Sequence, residues 1–210
     1  MKMFLNGQPA DASDGATIEV TNPANGSLIE TIPSATEDDI KAAVQYAKAA
    51  QPTWAKVPVH EKADILMKFL DLVARDHESL AQTLCAETGK PIVEARAEIS
   101  NIPIAFRAFA ERAKHLYGET IPAGMEAGQE HHILITRREP LGVIAAVIPF
   151  NFPCDLFDQK VAPALLAGNA VIVKPSTDNP LTLCRLTALL GEAGVTPGAI
   201  QIVTGRGSKV

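Results

Sequence analysis

The 210-residue chain lacks the features that mark several classes of protein. It has no excess of basic residues, since 19 Lys and Arg stand against 24 Asp and Glu and the net charge is −5. Such a composition offers no broad attraction to nucleic acid or to an anionic membrane. No apolar run approaches the roughly 20 residues that span a bilayer, and residues 1–15 lack the apolar segment of a signal peptide. We therefore expect a cytoplasmic protein that has neither nucleic acid nor a membrane as a partner.

Cysteine is scarce as well. Cys85, Cys154 and Cys184 are odd in number and widely spaced, which argues against a disulfide framework and against a zinc site. We expect reduced thiols. His131 and His132 are adjacent, so on a strand they would point to opposite faces and would not ligate the same metal. No metal site is predicted, and solvated or interface histidines are the simpler interpretation.

Two short apolar runs are present, at 143–148 and 170–173. Both are too short for globular helices and are rich in β-branched residues, which indicates buried parallel strands. The first ends at the break Pro149–Pro153 and the second at Lys174, and a segment of helix length lies between them. The pattern therefore predicts a βαβ unit. Because ligands of open parallel sheets bind at the carboxyl ends of the strands, we expect Asn151 and Lys174 to face one cleft.

Further strands and helices are predicted on either side of this unit. Residues 3–32 combine short β-prone pieces with turn signals, which is typical of an antiparallel meander. Alternation predicts a hairpin strand at 131–138, and an apolar run predicts a buried strand at 200–203. Caps, prolines and apolar spacing predict helices that run from Thr36 to about Ala50, from Pro58 to the turn Glu87–Pro91, over 92–117 with a kink or break at Pro103, and from Pro180 to 191–194.

Five polar positions near the strand ends are candidates for chemistry. The amide of Asn151, held between two prolines, would be a preorganised hydrogen-bond donor for a developing oxyanion; the alternative is a rigid connector and nothing more. Lys174, Ser176 and Thr177 could hold ribose hydroxyls or a phosphate, whereas a lone lysine at a strand end is more often solvated. Lys160 could be a buried amine, and the alternative is a side chain that reaches solvent.

Six segments resemble the aldehyde dehydrogenase superfamily in order and spacing over essentially the whole chain: LNGQ, VTNPANG, ETGKP, PLGVIAAVIPFNFP, KVAPALLAGNAVIVKPS and EAGVTPGAIQIVTGRG. The resemblance implies an α/β fold with a partial Rossmann-like parallel sheet, amino-terminal helices and a β-hairpin oligomerisation arm. It also implies oxidation of a small aldehyde to a carboxylic acid through a cysteine thiohemiacetal, with NAD or NADP as the cofactor.

The resemblance also assigns roles residue by residue. Asn151 matches the asparagine whose amide stabilises the oxyanion, and Lys160 matches a lysine of the deacylation proton path. Lys174 matches the lysine that binds the adenosine ribose, and Gly207 a glycine against the adenine. The full set of cofactor-binding candidates is Ile148, Pro149, Phe150, Lys174, Ser176, Thr177 and Gly207. The candidates for the aldehyde tunnel are Phe152, Asp155, Leu156 and Gln159.

Two departures from the family pattern matter. Thr177 stands where NAD-using members often carry a glutamate, which binds ribose hydroxyls and repels a 2′-phosphate, so we predict that NADP is accepted and is the better candidate for the preferred cofactor. The family's nucleophilic cysteine, general-base glutamate and second glycine-rich turn correspond to positions after Val210, so we expect the 210-residue chain alone to be inactive. Two other functions are considered for the chain. One is a non-catalytic nucleotide-binding or assembly module. The other is an acylating, CoA-dependent enzyme, and the intact Asn151-Phe152-Pro153 argues against this second one by resemblance.

The resemblance further divides the chain and suggests its partners. Residues 1–121 would form the β-meander and helices of the cofactor-binding domain, 122–140 the oligomerisation hairpin, and 141–210 the parallel βαβ part of the dinucleotide-binding domain. The complete protein would be a homodimer or homotetramer. Asp155 and Asp158 near the tunnel would repel a carboxylated or phosphorylated aldehyde, which favours a neutral or polar aldehyde as substrate.

Overall fold

The computed structural model describes residues 1–209. Its strands are β1 (Met3–Leu5), β2 (Gln8–Ala10), β3 (Thr17–Thr21), β4 (Leu28–Pro33), β5 (Thr120–Ile121), β6 (Leu134–Ile135), β7 (Val143–Val147), β8 (Ala170–Lys174) and β9 (Ile200–Ile202). Its helices are α1 (Glu37–Lys56), α2 (Val59–Thr88), α3 (Ile92–Ala113), α4 (Pro153–Leu166) and α5 (Leu181–Ala193). The fold is mixed α/β, as predicted.

The main sheet has five strands in the order β2-β1-β9-β8-β7. Strands β7, β8 and β9 are parallel, and β7 and β8 run in register from Val143 beside Ala170 to Val147 beside Lys174. Helix α4 connects β7 to β8, and α5 connects β8 to β9, so the predicted βαβ unit and its extension are present. The carboxyl ends of all three strands therefore lie at one edge of the sheet.

The prediction that both runs are buried is right for β8 and wrong for β7. The first four residues of β8 are buried, whereas β7 is the edge strand of the sheet over residues 1–209, with Ala146 buried and Val147 61% exposed. Alternating burial is what an edge strand shows when only one face packs on the core. An apolar run by itself does not reveal how many neighbours a strand has.

The amino-terminal strands form two hairpins in different sheets and not one meander. Strands β1 and β2 extend the main sheet, because Phe4 pairs with Ile202 of β9. Strands β3 and β4 pair only with each other among the described strands, and Val20 and Ile32 pack against Leu181 of α5. The local signals specify strands and turns, but the pairing of β1 with β9 joins residues almost 200 positions apart.

The helices follow their predicted caps closely. Thr36 and Asp39 form the capping box at the start of α1, and Gly89, with φ 73°, ends α2 in the left-handed conformation. Helix α1 runs past Ala50 to Lys56, because buried Trp54 packs into the core and its Nε1 donates a hydrogen bond to the Leu165 carbonyl (2.9 Å). Helix α5 ends at Gly194, as expected.

Pro103 does not split α3, which ends at Ala113 and not at Tyr117. The turns on either side of the proline are buried at Ile99 and Phe106, and this packing keeps the helix continuous across the missing N–H donor.

The predicted strand at 131–138 is reduced to two residues, which pair with Thr120 and Ile121. No helix within residues 1–209 is long and apolar enough to cross a membrane.

Candidate functional site

The loops that follow β7 and β8 leave the sheet side by side. Val147 is the register partner of Lys174, and the Ile148 N–H donates to the Lys174 carbonyl (2.9 Å). Asn151 lies four residues beyond Val147, in the loop that leads into α4, and its side chain is exposed. The structure thus places Asn151 and Lys174 at the same edge of the sheet.

The backbone around the 148–152 loop is held by hydrogen bonds from two side chains elsewhere in the chain, whereas the side chains of residues 149–152 are exposed. The Lys160 ammonium donates to the Val147 carbonyl (2.5 Å), and the Asn179 amide donates to the Phe150 carbonyl (2.7 Å). Phe150 and Phe152 are nevertheless 65% and 53% exposed. Such a loop can present its side chains to a ligand with little loss of conformational freedom on binding.

Lys160 is exposed, so the alternative of a lysine that reaches solvent describes it better than a buried amine. Ile148 is a predicted cofactor-binding residue whose side chain is 2% exposed and packs in the core, which leaves its backbone as the part that could contact a cofactor. Pro149 and Phe150 are exposed on the loop.

The loop after β8 meets the glycine turn after β9. The Thr177 hydroxyl donates to the Gly205 carbonyl (3.0 Å), and the Ser176 hydroxyl accepts from the Asp178 N–H (3.3 Å). The Lys174 ammonium donates to the Pro175 carbonyl (2.8 Å), and partial burial lowers the pKa of Lys174. At Gly207 a Cβ atom would meet no other atom within 4 Å, so the space above this turn is open.

Thr177 also lines a cleft of about 540 Å³ between this edge of the sheet and the β3–β4 hairpin. Asp178 and Arg206 line the same cleft, together with residues of β3 and Glu87. The cleft thus has charged groups of both signs along its wall. It shares Thr177 with the predicted cofactor site.

The predicted tunnel residues are Phe152, at the N-cap of α4, and Asp155, Leu156 and Gln159 within the helix. They lie on one face of the helix because they are three or four positions apart in the sequence. Phe152 and Gln159 are exposed, Asp155 and Leu156 are half-buried, and the Asn101 amide donates to the Asp155 carboxylate (3.3 Å).

Asp158 is buried and does not belong to this face. Neither carboxyl oxygen has a hydrogen-bond partner among the described residues, and burial followed by the nearby Asp155 raises the pKa of Asp158 to about 8. Asp158 is therefore protonated at neutral pH, and the expectation that its charge repels anionic aldehydes is wrong.

Two of the three cysteines are poor nucleophiles where they lie. Cys154 and Cys184 are buried, and burial raises the pKa of the Cys154 thiol well above its ordinary value and that of Cys184 to about 12. A thiolate is the reactive form of cysteine, so burial suppresses the reactivity of both.

The sequence analysis did not predict a role for three charged residues near the site, which are Glu87, Lys90 and Glu98. Glu87 accepts hydrogen bonds from the Leu181 and Thr182 N–H groups (2.6 and 2.9 Å) at the start of α5, and burial raises the pKa of Glu87 to about 7. Glu98 accepts from the Cys154 N–H (2.8 Å) and pairs with Lys90. The segment ETGKP predicted only a turn. An acidic residue in the last turn of a helix opposes the helix dipole, and this was the available signal for Glu87.

The comparisons with known proteins agree with this geometry. The family model described as "Aldehyde dehydrogenase family" matches residues 10–210. Among curated relatives, succinate-semialdehyde dehydrogenase (NADP(+)) of Escherichia coli K12 is 38% identical over 207 residues, which cover 99% of this chain and 42% of the relative. D-glyceraldehyde dehydrogenase (NADP(+)) of Picrophilus torridus is 34% identical over 210 residues, which cover 100% of this chain and 42% of the relative.

Solved structures give the same result. NADP-dependent glyceraldehyde-3-phosphate dehydrogenase from Bacillus halodurans C-125, complexed with NADP, matches with a TM-score of 0.95 and 36% identity over 99% of this chain and 44% of that one. An NADP-dependent enzyme of E. coli matches with a TM-score of 0.94 and 37% identity over 99% of this chain and 42% of that one. The chain spans about two fifths of the length of these relatives, 42% of each curated one.

Proposed function

The chain belongs to the aldehyde dehydrogenase family, and we propose that it supplies the cofactor-binding part and the oxyanion-stabilising amide of an enzyme that oxidises an aldehyde to a carboxylic acid with NADP. The observation that carries this proposal is the placement of Asn151 and Lys174 on adjacent loops at the carboxyl edge of one parallel sheet. Ligands bind at that edge in open α/β sheets.

Asn151 would donate its side-chain amide to the oxyanion that forms when a thiolate adds to the aldehyde. Its backbone neighbours are fastened and its side chain is exposed, which is the arrangement expected of a preorganised donor. Lys160 would take part in the proton path of deacylation, as the resemblance implies. Its ammonium already lies at the Val147 carbonyl, at the base of the same loop.

The residues around the glycine turn fit a dinucleotide. Lys174 is half-buried with its ammonium on a backbone carbonyl, Thr177 joins the two loops, and the surface above Gly207 is open. Ser176, Pro149, Phe150 and the backbone of Ile148 would complete this set. When bound, the nicotinamide would accept the hydride. Relatives and structures whose names specify NADP support the use of NADP, and matching structures that hold NAD leave the preference to Thr177.

Thr177→Glu tests the cofactor choice. A carboxylate there would repel the 2′-phosphate, so we expect NADP affinity to fall about 10-fold or more while NAD affinity is kept, measured by binding to the complete protein. Thr177→Ser, which keeps the hydroxyl, is the control. A wild-type protein that strongly prefers NAD would contradict the proposal.

We propose a neutral or polar aldehyde as the substrate. None of Phe152, Asp155, Leu156 and Gln159 carries a positive charge, and Asp155 is acidic, so a carboxylated aldehyde would find no counter-charge on this face. The proposal departs from several curated relatives, which are named for anionic aldehydes such as succinate semialdehyde, and agrees with the one named for neutral D-glyceraldehyde. A panel of aldehydes assayed with the complete protein tests this, and a clear preference for a semialdehyde would refute it.

We propose that the 210-residue chain alone is inactive, because none of Cys85, Cys154 and Cys184 lies in the sequence context of the family's nucleophile, and Cys154 and Cys184 are in addition buried thiols with raised pKa values. In the complete protein, Asn151→Ala should lower kcat by about 10²-fold or more, the usual effect of removing one oxyanion donor. An unchanged kcat would remove Asn151 from the mechanism. Aldehyde-dependent formation of NADPH by the purified 210-residue chain would refute its inactivity and would count against the alternative, a non-catalytic nucleotide-binding module.

Assembly into a homodimer or homotetramer through the 122–140 hairpin is a further part of the proposal. Ile133 and Ile135 are 86% and 71% exposed on that segment, and neighbouring exposed apolar side chains are typical of an interface. Light scattering of the complete protein with and without Ile133→Asp tests this. A wild-type protein that is monomeric would contradict it.

A further inference from the structure

Lys90 and Glu98 form an ion pair directly behind the loop that carries Asn151. The side chains of the two residues are 12% and 2% exposed, so the pair is withdrawn from solvent. Glu98 comes from α3, and Lys90 from the turn between α2 and α3. We propose that Lys90, held by Glu98, is a positioning residue that fixes the backbone of Asn151. This inference rests on the proposed function.

Glu98 acts on the helix that follows the loop. Its carboxylate accepts a hydrogen bond from the Cys154 N–H (2.8 Å) in the first turn of α4. Phe152, the residue at the N-cap, has no side chain that can cap the helix. Free N–H groups at a helix start need acceptors and favour negative charge, so Glu98 replaces the missing cap from another helix. The position of the first turn is thereby tied to α3.

Lys90 acts on the loop itself. Its ammonium lies 3.4 Å from the Asn151 carbonyl oxygen and 5.0 Å from the centre of the Phe152 ring, and it pairs with Glu98 at the same time. One cation therefore contacts Asn151, the residue after it, and the carboxylate that holds α4. The contact with the Phe152 ring also has the geometry of a cation–π interaction.

The contact from Lys90 matters because it holds the backbone carbonyl of Asn151 and leaves the side-chain amide free to bind a ligand. The direction of the amide therefore depends on where the backbone holds the Cα atom. A displacement of about 1 Å at a reacting group can cost about 10²-fold in rate. Loss of the ion pair should consequently reduce catalysis without touching substrate or cofactor.

The test is a cycle of variants in the complete protein. Lys90→Met alone would leave the buried Glu98 carboxylate unpaired and could unfold the chain, so the main variant is Lys90→Met with Glu98→Gln, which removes both charges and keeps an acceptor for the Cys154 N–H. We expect kcat to fall about 10-fold while the KM for NADP changes less than twofold. Lys41→Met, which removes an exposed ion pair on α1, should leave kcat unchanged.

Combination with Asn151→Ala separates positioning from a general structural role. If Lys90 acts through Asn151, adding Lys90→Met and Glu98→Gln to Asn151→Ala should reduce kcat less than twofold below that of Asn151→Ala alone. Full multiplication of the two losses in this triple variant, or an unchanged kcat in the Lys90→Met, Glu98→Gln variant, would overturn the inference. If Asn151→Ala itself has no effect, it is the proposed function that fails.

A second measurement needs no activity. Amide hydrogen exchange over residues 150–156 of the complete protein should be at least 10-fold faster in the Lys90→Met, Glu98→Gln variant, while exchange over β8 stays the same. An unchanged rate over 150–156 would overturn the inference whatever the outcome of the kinetic cycle.

Discussion

Replacing Asp158 by asparagine should make the stability of the fold less dependent on pH. Asp158 is buried on α4, and neither of its carboxyl oxygens has a hydrogen-bond partner within residues 1–209. Burial, with Asp155 nearby, raises the pKa of Asp158 to about 8 from its ordinary value of 3.8. Asparagine has nearly the same shape and cannot ionise, so the substitution removes the titration and little else.

The sign follows from proton linkage. Between about pH 4 and pH 8 the folded chain binds a proton at Asp158 that the unfolded chain has released, so the contribution of Asp158 to stability is complete below pH 4 and is lost as the pH rises to about 8. The slope for one proton is about 1.4 kcal/mol per pH unit. From pH 5 to pH 7 the wild type should therefore lose at most about 2.7 kcal/mol relative to Asp158→Asn.

Urea denaturation at pH 5, 6 and 7 measures this difference directly. Glu87, whose pKa is raised to about 7, contributes with the same sign, but it is present in both proteins and cancels from the comparison. Asp64→Asn, at an exposed position on α2, is the matched control and should follow the wild type at every pH. A constant difference between Asp158→Asn and the wild type across this range would refute the assignment of a protonated Asp158.

Two further predictions concern helix ends. Gly89→Ala should cost about 1 kcal/mol more than Gly15→Ala, because both glycines have φ near 70° but only at Gly89 would the new Cβ lie 2.9 Å from Pro23; equal losses in thermal denaturation would show that Pro23 moves away freely. Thr36→Ala should cost about 1 kcal/mol, since it removes the hydroxyl half of the capping box of α1, and a change below about 0.3 kcal/mol would show that Asp39 caps the helix alone.

Sequence patterns predicted the parts of this fold that depend on neighbouring residues. The capping box at Thr36, the left-handed end of α2 at Gly89 and the alternation of strands and helices from Val143 onward each have a local cause. The patterns did not predict that β1 pairs with β9, because such pairing joins residues almost 200 positions apart. They also did not predict that Pro103 lies in an unbroken helix, since that depends on the packing of both adjoining turns.

In the candidate site, too, the sequence predicted the positions of the loops but not the burial of individual side chains. The loops that carry Asn151 and Lys174 follow from strand ends and prolines, and both loops are present where the pattern placed them. The burial of individual side chains could not be predicted from these patterns. Ile148 points into the core, and Asp158 lies on the buried side of α4. A helical spacing places four tunnel candidates on one face, but it does not show which neighbouring position is buried.

Glu87 and Lys90 show what a local conflict in a sequence can reveal. A glutamate in the last turn of α2 is unfavourable for that helix, yet Glu87 lies at the start of α5, where its carboxylate accepts N–H groups that have no partner within their own helix. Three residues later, Lys90 reaches the Asn151 carbonyl with the support of Glu98. The two charges are thus explained by the helix and the loop they contact and not by the turn on which they lie. A residue that opposes its own helix is therefore a good candidate for a contact with another element, as Glu87 is for the start of α5.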